Sequence, residues 1–199
     1  MNKLAAMNTP IFWAEGHPGA LNRDNWKLEI KGLCDNPVTL NWNQLMELTP
    51  TTVNARLTSV TRWSVYGAWT GIALSTLMDL VKMQASCKFL RFWSVGEIYD
   101  TSIPVDIALK ERSLAAWAFD DEFLSEDYGG PIRALIPYLW GYKSAKSIVR
   151  IELMGYYVPG FWELRGYKDS AEIEAGLCRD INDGGALKNI PGGEVVDFI

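Results

Sequence analysis

The chain has 199 residues, of which 48% are apolar and 22% are charged, and its formal net charge at pH 7 is −5. This length and apolar content predict a single globular domain over residues 1–199, and the acidic balance argues against a general nucleic-acid-binding protein, because contacts to phosphates need a basic surface. No apolar run approaches the roughly 20 residues that span a bilayer, so we expect no membrane span.

The first elements are short. Residues 26–31 alternate apolar and charged side chains, a pattern typical of a half-buried strand. Asn41 and Gln44 have the spacing of a capping box and predict the start of a short helix, which Pro50 closes.

The next segments alternate between strand and helix patterns. Residues 51–59 predict a strand, the region from Gly67 to Gly71 predicts a turn, and residues 73–82 carry apolar side chains at helical spacing. Residues 88–94 predict another strand.

The second half continues in the same way. Residues 105–111 predict a helix, and residues 114–119, 132–137 and 147–154 predict strands. Residues 167–199 lack sustained periodicity, and we expect them to wrap over the body as loops. Short strands and helices without regular βαβ alternation predict an α+β fold with mixed sheets.

Cysteine and histidine usage excludes several kinds of site. Cys34, Cys87 and Cys178 lie far apart without C-x-x-C spacing, which disfavours a zinc ribbon, a redox pair and a disulfide framework. The only histidine is His17, in a glycine- and proline-rich segment that predicts a surface loop, so a Ser-His-Asp hydrolase is improbable.

A candidate anion site lies in the segment from Gly141 to Lys146. Gly141 permits a close backbone approach, Lys143 and Lys146 are three residues apart on one predicted turn, and Ser144 adds a hydroxyl. Arg133 provides a planar fork for the same anion if the two segments converge. Without a Walker pattern, this composition alone favours a solvated face over an anion site.

Four segments in order carry a resemblance to a known family: residues 56–64 (RLTSVTRWS), 129–133 (GGPIR), 141–146 (GYKSAK) and 161–167 (FWELRGY). Over residues 10–167 the chain resembles the molybdopterin-binding domain of the sulfite oxidase family. It is most similar to the bacterial branch that contains the catalytic subunit of protein-methionine-sulfoxide reductase. The resemblance implies an α+β fold of the sulfite oxidase type and molybdopterin, the molybdenum cofactor, as ligand.

The resemblance also implies roles for particular residues. Ser59 stands where the family has the cysteine that ligates molybdenum, which makes it the candidate metal-binding and catalytic residue. The implied cofactor contacts are Trp13, Ser94, Tyr128, Arg133, Ser144, Ala145 and Lys146. Near these segments, Arg62, Trp63 and Tyr99 are candidate pocket walls.

The serine leaves three outcomes open, because a hydroxyl ionises far less readily than a thiol and gives a harder ligand. Ser59 binds molybdenum as an alkoxide, or leaves the cofactor held only through the pterin, or marks a chain that no longer carries the metal.

The resemblance therefore implies an oxidoreductase that moves an oxygen atom to or from a small sulfur-containing substrate. Since no C-x-x-C-H haem motif is present, electrons would come from a separate partner. The alternatives are a non-catalytic molybdopterin-binding module and, more weakly, an interaction domain that uses exposed tryptophans. We expect a monomer that is soluble as written, or periplasmic if an export signal has been removed.

Overall fold

The computed structural model describes residues 7–199 and contains two β-sheets with three short α-helices. The first sheet contains β1 (Lys27–Gly32), β2 (Val38–Asn41), β5 (Phe89–Ser94), β6 (Asp100–Pro104) and β10 (Ile148–Met154). Its strand order is β2-β1-β10-β5-β6, and the central β1 and β10 run parallel.

The second sheet has seven strands: β3 (Thr51–Ser59), β4 (Trp63–Ala73), β7 (Leu114–Phe119), β8 (Glu122–Phe123), β9 (Arg133–Leu135), β11 (Gly176–Asp180) and β12 (Ala186–Ile190). The path β12-β11-β4-β7-β8 is joined by β3 on β4 and by β9 on β7. Strand β4 is therefore the central element, because β3, β7 and β11 all pair with it.

The helices are α1 (Trp42–Met46), α2 (Leu74–Leu80) and α3 (Val105–Ala108). The Asn41 side chain accepts from the Gln44 backbone N–H, and the Gln44 side chain accepts from the Asn41 N–H, so the predicted capping box is present. The other two helices are shorter than the predicted segments 73–82 and 105–111. Helix α2 ends at Leu80 and α3 ends at Ala108.

Strand β7 shows how the core is arranged. All six of its residues are buried, and the first four, residues 114–117, alternate between two hydrophobic clusters. Ala115 and Trp117 belong to the larger cluster, which contains residues of both sheets, whereas Leu114 and Ala116 belong to a smaller cluster with β3 and β4. Because successive strand residues point to opposite faces, the second sheet is buried on both sides here.

Two predictions about local structure were wrong. The region from Gly67 to Gly71 forms part of β4 rather than a turn: a Cβ at Gly67 would lie 2.2 Å from the Phe119 ring, and one at Gly71 would lie 2.2 Å from the Ala115 carbonyl oxygen. These glycines permit close approach to β7. The segment 167–199 is not made of loops alone, because β11 and β12 form a hairpin that adds to the second sheet through β4.

The described residues contain no helix long and apolar enough to cross a membrane. All nine tryptophans are buried or half-buried, so none of them provides the exposed aromatic surface of an interaction domain.

Candidate functional site

A cavity of about 430 Å³ lies where the ends of several strands meet the segment 9–15. It is bounded by the end of β3, the end of β5, the start of β9 and the turn that begins at Gly141. All eight residues that the sequence singled out as metal or cofactor contacts line this cavity: Trp13, Ser59, Ser94, Tyr128, Arg133, Ser144, Ala145 and Lys146. Of the three candidate wall residues, Trp63 and Tyr99 line it as well.

Arg133 is a buried cation in the cavity wall, with 3% of its surface exposed. Its guanidinium donates to the carbonyl oxygens of Tyr128 at 2.8 Å and Ser144 at 3.1 Å, and no carboxylate of the described residues forms an ion pair with it. Burial lowers the pKa of Arg133 to about 10, so its positive charge is costly without an anion.

Lys146 is the second cation of the wall. Its ammonium donates to the carbonyl oxygens of Phe12 at 3.1 Å and Asp127 at 2.9 Å, and it lies 4.7 Å from the centre of the Trp13 ring. Burial and the nearby Arg133 charge lower the pKa of Lys146 to about 7. Two neighbouring cations satisfied mainly by carbonyl dipoles are suited to binding an anion such as a phosphate.

The backbone of this region is fixed by short-range contacts. The hydroxyl of Ser94, the last residue of β5, donates to the Lys146 carbonyl oxygen at 2.7 Å. The Ser144 hydroxyl accepts from the Ile136 N–H at 3.0 Å. A Cβ at Gly141 would lie 3.3 Å from the Thr58 carbonyl oxygen, which shows how closely this turn approaches β3.

Aromatic side chains form much of the remaining wall. Trp162 and Tyr167 lie with ring centres 4.8 Å apart, and Tyr99 stacks on Phe161 with ring centres 5.5 Å apart. The Trp13 indole N–H is buried and has no hydrogen-bond partner among residues 7–199. An aromatic cavity with a buried donor that lacks a partner among these residues fits a flat heterocyclic ligand that carries acceptor atoms.

Ser59 lies at the end of β3, where the chain turns into β4. Ser59 pairs with Trp63 across the strands, and the Arg62 N–H donates to the Ser59 carbonyl oxygen at 2.8 Å, with Arg62 at a left-handed φ of 64°. The Ser59 hydroxyl lies 2.8 Å from the Thr61 hydroxyl and accepts from the Thr61 N–H at 3.2 Å. This tight turn places a half-buried hydroxyl on the cavity wall.

The part of the chain that the structure describes offers no alternative thiol at the cavity. Cys34, Cys87 and Cys178 are buried and none of them lines the cavity, and burial raises the pKa of each thiol. No cluster of three or more histidine, cysteine or acidic side chains suited to a metal occurs in residues 7–199. The phosphate and pterin ends of a molybdopterin fit these residues, whereas the position of the metal-ligating cysteine carries only a hydroxyl.

Two predicted contributors lie elsewhere. Lys143 is fully buried and forms an ion pair with Glu163, so it turns away from the proposed anion position instead of adding to it. Arg62 does not line the cavity: its guanidinium donates to the Glu174 carbonyl oxygen at 3.0 Å and lies over the Trp140 ring.

His17 is on the surface as predicted, 3.1 Å from the Asp127 carboxylate.

Sequence reasoning missed one acidic wall residue, Glu15. Burial raises the pKa of its carboxyl group, and Lys146 partly opposes that rise. No pattern around Glu15 indicated a site. Trp162 and Tyr167 appear in the sequence analysis only as parts of a family motif, without a predicted place in the cavity. The density of aromatic residues in the segment 161–167 is a signal that could have indicated a cavity wall.

Comparisons with known proteins identify the family of the chain. Residues 15–162 match the family model described as the oxidoreductase molybdopterin binding domain. The chain is 27% identical to the protein-methionine-sulfoxide reductase catalytic subunit MsrP of Ralstonia nicotianae, over 83% of this chain and 53% of the relative. It is 29% identical to the uncharacterized oxidoreductase YuiH of Bacillus subtilis, over 83% of this chain and 84% of the relative.

The fold is also that of a solved structure. The sulfane dehydrogenase SoxCD from Paracoccus pantotrophus aligns with a TM-score of 0.67 at 16% identity, over 87% of this chain and 46% of that chain. The chain thus spans only about half the length of SoxCD and of the MsrP relative. The α+β fold with mixed sheets and the resemblance to the methionine-sulfoxide reductase branch are both confirmed. The chain belongs to the oxidoreductase molybdopterin binding domain family, which is of the sulfite oxidase type.

Proposed function

We propose that this chain binds molybdopterin in the aromatic-walled cavity and serves as an oxidoreductase that transfers an oxygen atom to or from a small sulfur-containing substrate. The observation that carries the proposal is the pair of neighbouring cations, Arg133 and Lys146, which have no carboxylate ion-pair partner among residues 7–199 and line the same cavity. An anionic ligand relieves both the burial cost of these charges and their mutual repulsion.

The cofactor's phosphate would be held by the Arg133 fork and the Lys146 ammonium. Both groups already have fixed positions, because carbonyl oxygens of Tyr128, Ser144 and Asp127 accept their other hydrogen bonds. The hydroxyls of Ser94 and Ser144 form hydrogen bonds to the backbone around this position. Ala145 also lines the cavity, and its small side chain leaves room for the phosphate. This preorganisation lowers the entropic cost of binding.

The pterin would lie among the aromatic side chains of the wall, with the Trp13 indole N–H as a donor that lacks a partner among the described residues. Tyr128 and Ser59 both line the cavity. Ser59 would lie at the end of the cofactor that carries the metal. The cofactor, when bound, supplies the two-electron redox chemistry, and the protein supplies binding, orientation and a partly dry environment.

Reduction of a sulfoxide to a thioether and water consumes two electrons and two protons. The chain carries no haem-attachment motif, so we assign the electrons to a separate redox partner. Reduction of a sulfoxide is the activity named for the MsrP relatives. For this chain, the substrate, the partner and a monomeric state are parts of the proposal.

A second candidate function is a non-catalytic molybdopterin-binding module of the same fold. The observation that favours it is Ser59, whose hydroxyl is bonded to Thr61 where the family has a metal-ligating cysteine.

The test is elemental mass spectrometry for molybdenum, combined with fluorescence of the oxidised pterin released from the same sample, on protein made in a host that synthesises the cofactor. Near-stoichiometric pterin and molybdenum support the oxidoreductase, and turnover of a sulfoxide by loaded protein separates it from the non-catalytic module. A protein that carries no pterin contradicts both candidates. Arg133→Gln removes one of the two cations and should lower the amount of pterin per chain. Arg62→Gln is its matched control, because the Arg62 guanidinium also donates to a carbonyl oxygen but lies outside the cavity.

A further inference from the structure

Ser59 is the residue whose role the cavity geometry addresses most directly. We propose that this chain holds the cofactor through its pterin and phosphate ends alone and gives the metal no protein ligand, the Ser59 hydroxyl remaining hydrogen-bonded to Thr61. The inference rests on the proposed function, and it selects one of the three outcomes that a serine at this position leaves open.

The first argument is that the Ser59 hydroxyl is already engaged. Its oxygen accepts from the Thr61 N–H at 3.2 Å and lies 2.8 Å from the Thr61 hydroxyl oxygen. A serine hydroxyl has one proton and two lone pairs, and these two contacts use two of the three. The contacts are built into the turn, because the Arg62 N–H bonds to the Ser59 carbonyl oxygen at 2.8 Å and fixes the loop.

The second argument is that no base lies beside this hydroxyl. The Ser59 hydroxyl must lose its proton before it can serve as an alkoxide ligand. Among residues 7–199, Thr61 is the only hydrogen-bond partner of the Ser59 side chain, and its amide and hydroxyl are neutral. Among residues 7–199, Glu15 is the only carboxylate that lines the cavity, and its electrostatic partner is Lys146.

The third argument concerns what replaces the missing ligand. The cysteines lie outside the cavity, and no cluster of metal-binding side chains occurs in the described residues. Ser59 is half-buried and Thr61 is exposed, so water competes with a neutral hydroxyl for the metal. The attachment therefore depends on the phosphate at Arg133 and Lys146, and on the aromatic wall, with the metal held by the two sulfurs of the pterin.

The experiment compares the wild-type protein with Ser59→Ala and Ser59→Cys, all produced in a host that makes the cofactor. Pterin per chain, molybdenum per pterin and the number of sulfur atoms around molybdenum, from X-ray absorption, are measured for each. Ser64→Ala is the matched control, because Ser64 is a buried serine that pairs with Thr58 across the same two strands and does not line the cavity.

We expect the wild-type, Ser59→Ala and Ser64→Ala proteins to have the same molybdenum per pterin and two sulfur ligands, and Ser59→Cys to gain a third. Loss of molybdenum from Ser59→Ala with pterin retained would identify Ser59 as a ligand and overturn this inference, while cofactor binding stands. A Ser59→Cys protein that keeps two sulfurs agrees with the absence of a protein ligand, but it contradicts the proposed placement of residue 59 at the metal end of the cofactor. Absence of pterin from every variant overturns both this inference and the proposed function.

Discussion

Lys143 and Glu163 form an ion pair in which both side chains are completely buried. Lys143 also donates to the Ser102 carbonyl oxygen at 3.0 Å, and the Thr101 hydroxyl donates to the same carboxylate oxygen of Glu163 at 3.0 Å. The pair joins the turn that begins at Gly141, strand β6 and the turn after Trp162 behind the cavity. The pair supports the wall from behind, since neither residue lines the cavity.

Replacing one residue of this ion pair should lower the free energy of unfolding far more than replacing both. We expect Lys143→Met to lower the free energy of unfolding by about 3 to 5 kcal/mol, because the carboxylate is left buried without a counter-charge. The double variant Lys143→Met with Glu163→Leu should recover most of that loss, since matched apolar groups avoid the desolvation penalty. Urea unfolding of the three proteins measures this, and equal losses in the single and double variants would contradict it.

Local patterns predicted the strands and helices best where the signal lies within a few residues. The predicted strand 51–59 has the observed bounds Thr51–Ser59, and the capping box at Asn41 forms as expected. The hairpin formed by β11 and β12 was missed because its buried positions are not consistently apolar. Asp180 is buried in β11 and pairs with Arg56, more than a hundred residues earlier, so the strand lacks alternating hydrophobicity.

The family resemblance selected residues that line one cavity, whereas local chemistry alone added Lys143, which lies outside it. The segment from Gly141 to Lys146 predicts that Lys143 and Lys146 share an anion, since residues three apart lie on neighbouring faces of a helical turn. In the structure this segment forms a single 3₁₀ turn, over Gly141–Lys143, and Lys143 forms an ion pair with Glu163. That partner lies on a separate segment, and nothing near Lys143 in the sequence reveals it.

Arg133 should contribute to anion binding through its fork and not through charge alone. We expect Arg133→Lys to raise the Kd for pyrophosphate about tenfold, because a lysine cannot keep two parallel hydrogen bonds and leaves the carbonyl oxygens of Tyr128 and Ser144 short of donors. Isothermal titration calorimetry measures the change. Arg62→Lys, outside the cavity, is the control, and an equal effect in both variants would refute a specific role for Arg133.

Gly141 should be required for the close approach of its turn to β3. In Gly141→Ala the new Cβ would meet the Thr58 carbonyl oxygen at 3.3 Å and the Ser59 Cα at 3.7 Å. We expect a loss of about 1 to 3 kcal/mol in the free energy of unfolding, together with reduced pterin per chain, since the turn must shift beside the cavity. Gly155→Ala, whose Cβ would meet Leu33 at 3.4 Å, is the control. Unchanged pterin content in Gly141→Ala would show that the turn tolerates the shift.

Lys146 should couple anion binding to pH. Burial and Arg133 lower its pKa to about 7 from the ordinary 10.5, with Glu15 and Asp127 opposing that shift. The unfolded chain therefore binds more protons between about pH 7 and 10.5, so the contribution of Lys146 to stability should improve as pH rises through this range.

An anion bound at Arg133 and Lys146 favours the charged form of Lys146, so binding of pyrophosphate at pH 8 should take up protons and weaken as pH rises further. Calorimetry in two buffers with different ionisation enthalpies measures the uptake. Lys146→Met should abolish the component due to this residue, whereas Lys88→Met should not, because the exposed ammonium of Lys88 bonds to the Ala85 carbonyl oxygen outside the cavity. Equal proton uptake in the wild type and in Lys146→Met would show that another group titrates, and would remove Lys146 from the anion site.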